Sequence, residues 1–407
     1  MSVEFEDHPR SKYLQRKLLK SSLIRTPVNI NCSKVVEGDS VAVTLAHMYN
    51  LNIKSKRVQL TERDYMNFTE DCENYKVKRN FLSFVMSKEE EDYPIAYSIV
   101  IQDNIEMFER LLRSIYTPQN IYCVHVDDKA PNIFKQAVKA ITSCFGNVFM
   151  ATKLEDMIHA LWSRVQADLN CMKDLLDSNI KWVYLLNACG SDFPIKTNAE
   201  IVNTLKVLNG KNSVESIRPP EDKMSRWFFH YEIGTSVVRT NYKKTIPPIS
   251  IPIFYGSGYF VVTRQFVKHI FASTQIHHFL HWAKDTYSPN EHIWATLNRL
   301  PGVPGSLPHN SKYDITDAIS IARLVKWEFY EGDVNKGAQY PSCKGTHQQN
   351  VCIFGSGDLH WLLQQQHLLA GKFDPMVDNI AIQCLEETLR YKTLYGNVMS
   401  VYGYSGA

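Results

Sequence analysis

The sequence has none of the standard motifs with which α/β proteins hold a nucleotide or a metal-bound diphosphate. No G-x-G-x-x-G follows the first predicted strand, and no G-x-x-x-x-G-K-[ST] phosphate loop occurs. The two places where a D-x-D cation motif would be expected have Asp127-Asp128 and Ser191-Asp192 instead. A diphosphate bound to this chain would therefore need lysine or arginine side chains to neutralise its charge.

Long apolar runs and a strong charge of one sign are also missing. No run approaches the ~18 apolar residues of a membrane span, and residues 1–24 are polar and basic without the apolar region of a signal peptide. The formal net charge of the 407 residues is +3 without a long basic block, which argues against a nucleic-acid partner. Because 44% of the residues are hydrophobic, the chain can bury a large core.

The nine cysteines fit no C-x-x-C pair and no zinc-binding spacing. Cys343 and Cys352 bracket a short polar loop, which suits a local disulfide. Two N-glycosylation sequons begin at Asn31 and Asn67, both in the polar N-terminal region. Together these features predict an oxidising lumen, with four disulfides and one cysteine left as a thiol.

The composition of the sequence changes near residue 93, from polar and charge-rich to alternating apolar segments. Residues 1–92 are polar and charge-rich, and we interpret them as an N-terminal stem with a short helical cap. After Pro94, apolar strand-like runs at 95–101, 121–127, 148–150 and 182–187 alternate with segments of helical periodicity. This alternation predicts a parallel sheet covered by helices. Ligands of such sheets bind beyond the carboxyl ends of the strands, where residue 127 and the loop 187–192 lie.

The second half has a more mixed pattern. Residues 198–208 have helical periodicity, and a polar, proline-containing segment at 209–250 is predicted to be a loop. Residues 253–263 predict a strand pair or a bulged strand, in which two glycines allow close backbone approach. Further helices are predicted at 265–271, at 278–284 and towards the C-terminus.

Glu291 is the candidate general base. Ser288-Pro289 predicts a turn that enters a helix, which places Glu291 in the first helical turn, where the helix dipole favours an ionised carboxylate. The apolar residues Ile293, Trp294 and Leu297 would bury the opposite side of this helix. Taken alone, the segment is explained more simply by a structural acid at a helix N-terminus. The rest of the chain favours a catalytic role.

The sequence resembles the core 2/I-branching family of β-1,6-N-acetylglucosaminyltransferases over about residues 31–395. The stretches that carry the resemblance are YPIAYS at 93–98, PQNIYCVHVD at 118–127, WSRVQADLNCM at 162–172, DFPIKTN at 192–198, DTYSP at 285–289, RLVKW at 323–327, EGD at 331–333, GDL at 357–359 and AGKFD at 370–374. The resemblance implies an α/β, GT-A-like fold with a mostly parallel sheet flanked by helices. In it, residues 93–200 would bind the UDP sugar and residues 201–407 would bind the acceptor and carry catalysis.

The same resemblance implies transfer of N-acetylglucosamine from UDP-GlcNAc with inversion and without a metal ion or other cofactor. Glu291 would be the base. The implied acceptor-binding residues are Glu215, Lys223, Arg226, Trp327 and Phe329, and the implied UDP-GlcNAc-binding residues are Val100, Asp127, His159, Gln349 and Lys372. The implied disulfides are Cys32–Cys384, Cys72–Cys144, Cys123–Cys171 and Cys343–Cys352, with Cys189 free. The expected location is the Golgi lumen, with mucin-type O-glycans as acceptors, an anchor that is not visible in this chain, and a homodimer left open.

Several positions depart from the family pattern. Gln349 replaces an arginine that helps to neutralise the diphosphate, Phe329 replaces an acceptor-side tyrosine, and Asn290 replaces an aspartate beside the base. Residues 102–104 and 159–161 also differ. These departures leave two classes of function open: an active branching transferase with a weakened or retuned donor site, or a catalytically poor relative that binds glycans or partners. Within the first class, the retained acceptor residues favour core 2 branching of Galβ1-3GalNAc, and Phe329 leaves I-branching of poly-N-acetyllactosamine open as the alternative.

Overall fold

The computed structural model describes residues 30–53, 57–158, 160–233, 237–310 and 320–402. The predicted stem lies partly outside these described residues, and His159 lies outside them as well.

The secondary structure alternates between strands and helices through the middle of the chain. The helices are α1 (Cys32–Glu37), α2 (Ser40–Ile53), α3 (Glu62–Phe68), α4 (Cys72–Lys78), α5 (Lys88–Glu91), α6 (Ile105–Ile115), α7 (Asn132–Ser143), α8 (Trp162–Asp177), α9 (Asn198–Val207), α10 (Glu221–Phe228), α11 (Arg264–Ala272), α12 (Thr274–Ala283), α13 (Ile293–Leu297), α14 (Leu359–Leu363) and α15 (Pro375–Tyr402), the last with a kink at Asp378. The strands are β1 (Ile95–Ile101), β2 (Ile121–Val126), β3 (Val148–Met150), β4 (Tyr184–Cys189), β5 (Asp192–Pro194), β6 (Ser213–Val214), β7 (Phe229–Ile233), β8 (Val237–Lys243), β9 (Phe260–Thr263), β10 (Arg323–Leu324), β11 (Thr346–Gln348), β12 (Val351–Ile353) and β13 (Leu369–Gly371). Short 3₁₀ turns occupy Pro289–Glu291, Glu328–Tyr330, Val334–Lys336 and Ser356–Asp358.

The core of the molecule is a six-stranded mixed sheet with the order β3-β2-β1-β4-β9-β6. The first four strands are parallel, and β9 is antiparallel to both of its neighbours. All residues of β1 and β2 are buried, as expected for strands covered by helices on both faces. The prediction of an α/β fold with a mostly parallel sheet flanked by helices is therefore confirmed.

A smaller sheet, β10-β13-β5, lies beside the main one and joins β5 to the end of the chain. It packs in a separate apolar cluster with the C-terminal helix α15 and the N-terminal helix α1. Two hairpins, β7-β8 and β11-β12, complete the strand pairings. This second cluster brings the two ends of the described chain together.

Disulfides tie the N-terminal helices to the rest of the molecule. The structure contains the four implied pairs, Cys32–Cys384, Cys72–Cys144, Cys123–Cys171 and Cys343–Cys352, and Cys189 is a free, half-buried thiol. Both sequon asparagines are exposed, Asn31 as the N-cap of α1 and Asn67 within α3. Among the described residues, no helix has both the length and the apolar character needed to cross a bilayer.

The prediction of a loop at 209–250 is wrong. The segment contains β6, α10 and the β7-β8 hairpin. The hairpin was missed because its strands lie on the surface, where β8 is mostly exposed and has no buried face to produce apolar alternation. Helix α10 begins after Pro220, a favoured helix start, but it has only two turns.

The segment 253–263 is only partly a strand. Phe260–Thr263 forms β9, whereas Tyr255 makes an isolated antiparallel bridge to Ile217. The two glycines between them, Gly256 and Gly258, lie where the backbone passes closest to neighbouring segments.

Candidate active site

Glu291 lies on a short turn that is fixed from its buried side. Ser288 adopts the left-handed conformation, Pro289 begins a 3₁₀ turn, and the amide of Glu291 donates to the carbonyl of Ser288 at 2.9 Å. Helix α13 follows immediately, with Ile293, Trp294 and Leu297 fully buried. The side chain of Glu291 itself is 32% exposed. The anchored backbone therefore presents a carboxylate to solvent, although from a 3₁₀ turn rather than from the predicted first turn of an α-helix.

Two side chains hold the Glu291 carboxylate. Arg226 forms an ion pair with Oε2, and the Tyr255 hydroxyl donates to the same oxygen at 3.0 Å. The Arg226 guanidinium lies 5.4 Å from the ring centroids of both Tyr255 and Tyr287, so its own position is fixed by cation–π contacts. Burial lowers the pKa of Arg226, but the charge and hydrogen bond of Glu291 together with Tyr255 and Tyr287 outweigh it, and the net shift is upward. The guanidinium therefore stays charged.

Glu215 lies beside this pair. Its Oε2 accepts a hydrogen bond of 2.8 Å from the amide of Ser257. Burial is the main reason why the pKa of Glu215 is raised, and the nearby charge of Glu291 adds to the shift. The structure thus brings Glu215 and Arg226 close to Glu291, which lies 65 residues after Arg226 in the sequence.

Lys223 lies on α10 one turn before Arg226. Its ammonium pairs with Asp222 at 3.1 Å, and its side chain is 33% exposed. An exposed pair between adjacent residues is weak, so the ammonium can exchange this partner for a ligand at little cost.

Trp327 and Phe329 form an exposed aromatic surface. Their rings stack at 5.6 Å, and the two side chains are 39% and 63% exposed. Trp327 also pairs with Val351 in the β11-β12 hairpin. The amide of Tyr340 donates to the carbonyl of Tyr330, next to Phe329, at 3.2 Å. Burial and then the charge of Glu215 raise the pKa of Tyr340. Exposed aromatic faces near a charged pocket are suited to packing against sugar rings.

A polar cleft of about 670 Å³ opens beyond the carboxyl ends of the strands. It is lined by Lys372, by Gln349 and by Gly190 and Ser191, which follow β4. Gln349 is in the two-residue turn of the β11-β12 hairpin, and both turn residues have positive φ, as such tight hairpins require. The structure thus brings Gln349 and Lys372, two predicted donor residues, to one cleft.

Acidic residues outnumber basic ones in the lining of this cleft. Asp103, Asp374 and Glu62 line it together with Lys372. Burial raises the pKa of Asp103, and electrostatic repulsion from the Asp374 carboxylate raises it further. A diphosphate in this cleft would therefore meet Lys372 together with three acidic side chains.

Val100 and Asp127, two further predicted donor-binding residues, lie at the same edge of the sheet. Both make hydrogen bonds to the backbone of neighbouring segments. Val100 is buried, and its carbonyl accepts from the amide of Gly190 at 3.1 Å. The Asp127 carboxylate accepts from the amides of Lys129 and Met157 at 3.0 and 3.1 Å.

Strand β4 connects the cleft with Glu291. The Asn187 side-chain amide in β4 donates to the carbonyl of Gly258 at 2.9 Å, and a β-carbon at Gly258 would collide with the side chain of Asn290, next to Glu291. Gly190 and Ser191, a few residues beyond Asn187, line the cleft. A series of contacts along β4 therefore connects the neighbourhood of Glu291 with the segment that lines the cleft.

Sequence reasoning missed Tyr255 and a buried charged layer beneath the site. In this layer Arg323 pairs with Asp192 and stacks on Tyr259 at 4.2 Å, while Arg164 pairs with Asp168 at 2.8 Å. The glycines at 256 and 258 were the signal available for Tyr255, since they marked close backbone approach. The groups of potential metal ligands found among the described residues both include Cys343, whose sulfur is in a disulfide, so neither suits a metal ion.

Comparison with known families adds independent evidence. The model of the Core-2/I-branching enzyme family matches residues 95–363. The chain belongs to the Core-2/I-branching enzyme family. The glycosyltransferase class predicted from the sequence is thereby confirmed, and the α/β architecture is consistent with a GT-A-like fold.

Relatives of this Core-2/I-branching enzyme match along nearly the whole chain. The rat beta-1,3-galactosyl-O-glycosyl-glycoprotein beta-1,6-N-acetylglucosaminyltransferase 3 is 54% identical over 395 residues, which cover 97% of this chain and 90% of the relative. The bovine protein of the same name is 56% identical over 379 residues, covering 93% and 86%. A beta-1,3-galactosyl-O-glycosyl-glycoprotein beta-1,6-N-acetylglucosaminyltransferase of bovine herpesvirus 4 is 54% identical over 387 residues, covering 95% and 88%.

Proposed function

We propose that this protein transfers N-acetylglucosamine from UDP-GlcNAc in β-1,6 linkage to core 1 O-glycans, Galβ1-3GalNAc, and so forms core 2 branches. The observation that carries this proposal is the partly exposed carboxylate of Glu291, which Arg226 and Tyr255 hold, in a chain that also forms the Lys372 cleft beyond β4. The names of the relatives, which act on beta-1,3-galactosyl-O-glycosyl glycoproteins, support the same acceptor class.

In the proposed reaction Glu291 is the general base. Its carboxylate takes the proton of the C6 hydroxyl of the acceptor GalNAc, and the oxygen forms a bond to the anomeric carbon of the donor. The bond between this carbon and the UDP oxygen breaks on the opposite face, which inverts the α-linked donor sugar to a β-linked product. UDP leaves with the electron pair, and Lys372 neutralises part of its charge without a metal ion.

The acceptor would lie between the charged residues and the aromatic surface. Glu215, Lys223 and Arg226 offer one acceptor and two donors of hydrogen bonds to sugar hydroxyls. Trp327 and Phe329 offer apolar faces. Arg226 would then contact both the base and the acceptor, and this places the sugar next to Glu291.

The donor cleft supports a second candidate, a catalytically weak relative that binds glycans. Gln349 brings no charge to the position where the family pattern has an arginine, and Asp103 and Asp374 lie in the same cleft. I-branching of poly-N-acetyllactosamine is the alternative reaction within the enzyme class.

The expected setting is the Golgi lumen, where sugar nucleotides and O-glycans meet. Four disulfides and two exposed sequons fit an oxidising lumen. Mucin-type glycoproteins are the proposed partners.

An acceptor panel with purified protein tests the proposal. Transfer from UDP-GlcNAc to Galβ1-3GalNAc should be observed, should exceed transfer to poly-N-acetyllactosamine, and should continue in EDTA. Glu291→Gln should abolish transfer and leave UDP binding, measured by calorimetry, unchanged. Glycan binding without turnover would reject the enzyme in favour of the weak relative, and turnover by Glu291→Gln would show that another group is the base.

A further inference from the structure

The two oxygens of the Glu291 carboxylate are not equivalent. Arg226 and Tyr255 both contact Oε2, whereas Oε1 has no hydrogen-bond partner within the described part of the chain. A carboxylate oxygen that already accepts two hydrogen bonds has fewer lone pairs available for a substrate proton. Oε1 is therefore the oxygen that remains available to the acceptor hydroxyl.

We propose that Tyr255 is a positioning residue that fixes the Glu291 carboxylate by its hydroxyl and thereby assigns Oε1 as the proton-accepting oxygen. The proposal rests on the function proposed above. Arg226 and Tyr255, which both contact Oε2, differ in their expected roles. The guanidinium of Arg226 is expected to contact the acceptor as well as Glu291. Among the described residues, the Tyr255 hydroxyl makes no hydrogen bond other than that to Glu291.

The backbone of Tyr255 is fixed with respect to its neighbours. Its amide and carbonyl exchange two hydrogen bonds with Ile217, each 2.9 Å long. The next amide, that of Gly256, donates to the carbonyl of Glu291 at 2.8 Å. Side-chain and main-chain contacts thus both connect this segment to Glu291, as a preorganised site requires.

Towards the Glu291 carboxylate the Tyr255 hydroxyl acts as the donor. Burial, with the charge of Glu291 as the second cause, raises the pKa of Tyr255. The phenol therefore keeps its proton and donates it in the hydrogen bond to the carboxylate. The ring of the same side chain lies against the guanidinium of Arg226, so Tyr255 orients both groups.

Tyr255→Phe is the direct test, and Tyr287→Phe is its matched control. Both tyrosines face Arg226 at 5.4 Å, but in the described residues the Tyr287 hydroxyl contacts neither Glu291 nor another hydrogen-bonding partner. We expect Tyr255→Phe to lower kcat about 10-fold to 100-fold, the effect of losing a hydrogen bond to a charged group, with the KM of donor and acceptor changed less than about twofold. Tyr287→Phe keeps the ring that faces Arg226 and removes no hydrogen bond to Glu291, so it should lower kcat less than Tyr255→Phe does, and both variants should melt at the wild-type temperature.

A double-variant measurement separates this role from a general packing effect. If Tyr255 acts through Glu291, then Tyr255→Phe should cost little in a Glu291→Asp background, because the shortened side chain has already lost the contact. Equal losses in kcat for the two phenylalanine variants, additive losses with Glu291→Asp, or a raised acceptor KM with unchanged kcat would each overturn the proposal. A wild-type protein without transfer would instead reject the proposed function, and the catalytic role of Tyr255 with it.

Discussion

At the scale of single residues, a few side chains set the charge of the proposed donor cleft. Lys372 is a cation in the cleft, and the hairpin turn brings Gln349 to the same cleft. Because both turn residues already have positive φ, a change from Gln349 to another non-glycine residue alters the charge without adding a new backbone cost. Substitutions of Gln349 therefore test how the charge at this position affects binding of the proposed donor.

Gln349→Arg should raise kcat/KM for UDP-GlcNAc. A charge-assisted hydrogen bond to the diphosphate contributes about 1.5–3 kcal/mol, which corresponds to roughly 10–150-fold. Steady-state kinetics with varied donor would measure this, and Gln349→Glu, which adds the opposite charge, should lower the same constant. An unchanged rate for Gln349→Arg would mean that Asp103 or Asp374 captures the new guanidinium, or that diphosphate charge does not limit the reaction.

At the scale of elements, the site depends on how closely an irregular segment approaches its neighbours. Residues 253–259 pass between Glu215 and Glu291, and they carry both Tyr255 and the amide of Ser257 that binds Glu215. A β-carbon at Gly256 would overlap the carbonyl oxygen of Glu215. Only glycine therefore allows this approach.

Gly256→Ala should displace the segment and reduce transfer at least about tenfold, with a loss of stability of about 1–3 kcal/mol from overpacking. Activity and thermal unfolding measure the two effects. The control is Gly146→Ala, because a β-carbon at Gly146 meets no heavy atom within 4 Å. Wild-type activity in Gly256→Ala would show that the close approach does not support the site.

At the scale of the whole molecule, buried ion pairs join the N-terminal helices to the catalytic body. Arg79 at the end of α4 makes two hydrogen bonds of 2.9 and 2.7 Å to Glu109 in α6, and Arg113 lies 3.5 Å from the same carboxylate. Glu386 in α15 pairs with Arg110 and Arg113. Helix α6 thus connects both ends of the described chain.

Glu109→Gln should destabilise the fold by about 3–5 kcal/mol at pH 7, because it leaves buried guanidinium groups without their counter-charge. Burial raises the pKa of Glu109, but Arg79 and Arg113 outweigh it and hold this pKa below the usual 4.5. The carboxylate therefore stabilises the fold fully above about pH 4.5, and this contribution is lost as the pH falls through the lower, folded-state pKa.

Urea unfolding at pH 7 and at pH 3 measures the effect. The difference between wild type and Glu109→Gln should shrink at the lower pH. Glu73→Gln is the control, because the Glu73 side chain is 84% exposed and its ion pair with Lys76 contributes little. A pH-independent difference would show that the charge of Glu109 is not what joins the helices.

The sequence by itself determined those strands and turns whose burial is visible in the local pattern of apolar and polar residues. Buried parallel strands are continuous apolar runs, so β1, β2 and β3 were predicted within a residue or two. The family resemblance supplied the disulfide pairs. Ser288-Pro289 correctly predicted a turn before Glu291, although Glu291 lies in a 3₁₀ turn rather than in the predicted first turn of an α-helix. The β7-β8 hairpin was missed because a surface hairpin buries neither face and leaves no period in the sequence.

Only the tertiary structure decided which side chains meet. Glu215, Arg226, Tyr255 and Glu291 come from four separate segments, and no periodicity relates them. Their contacts depend on the bridge between Tyr255 and Ile217 and on the close approach that Gly256 permits. The acidic character of the donor cleft likewise arises because Asp103 and Asp374, 271 residues apart in the chain, line one cavity. The local sequence pattern determines where helices and strands form. Which charged side chains interact depends instead on how close the fold brings them in space.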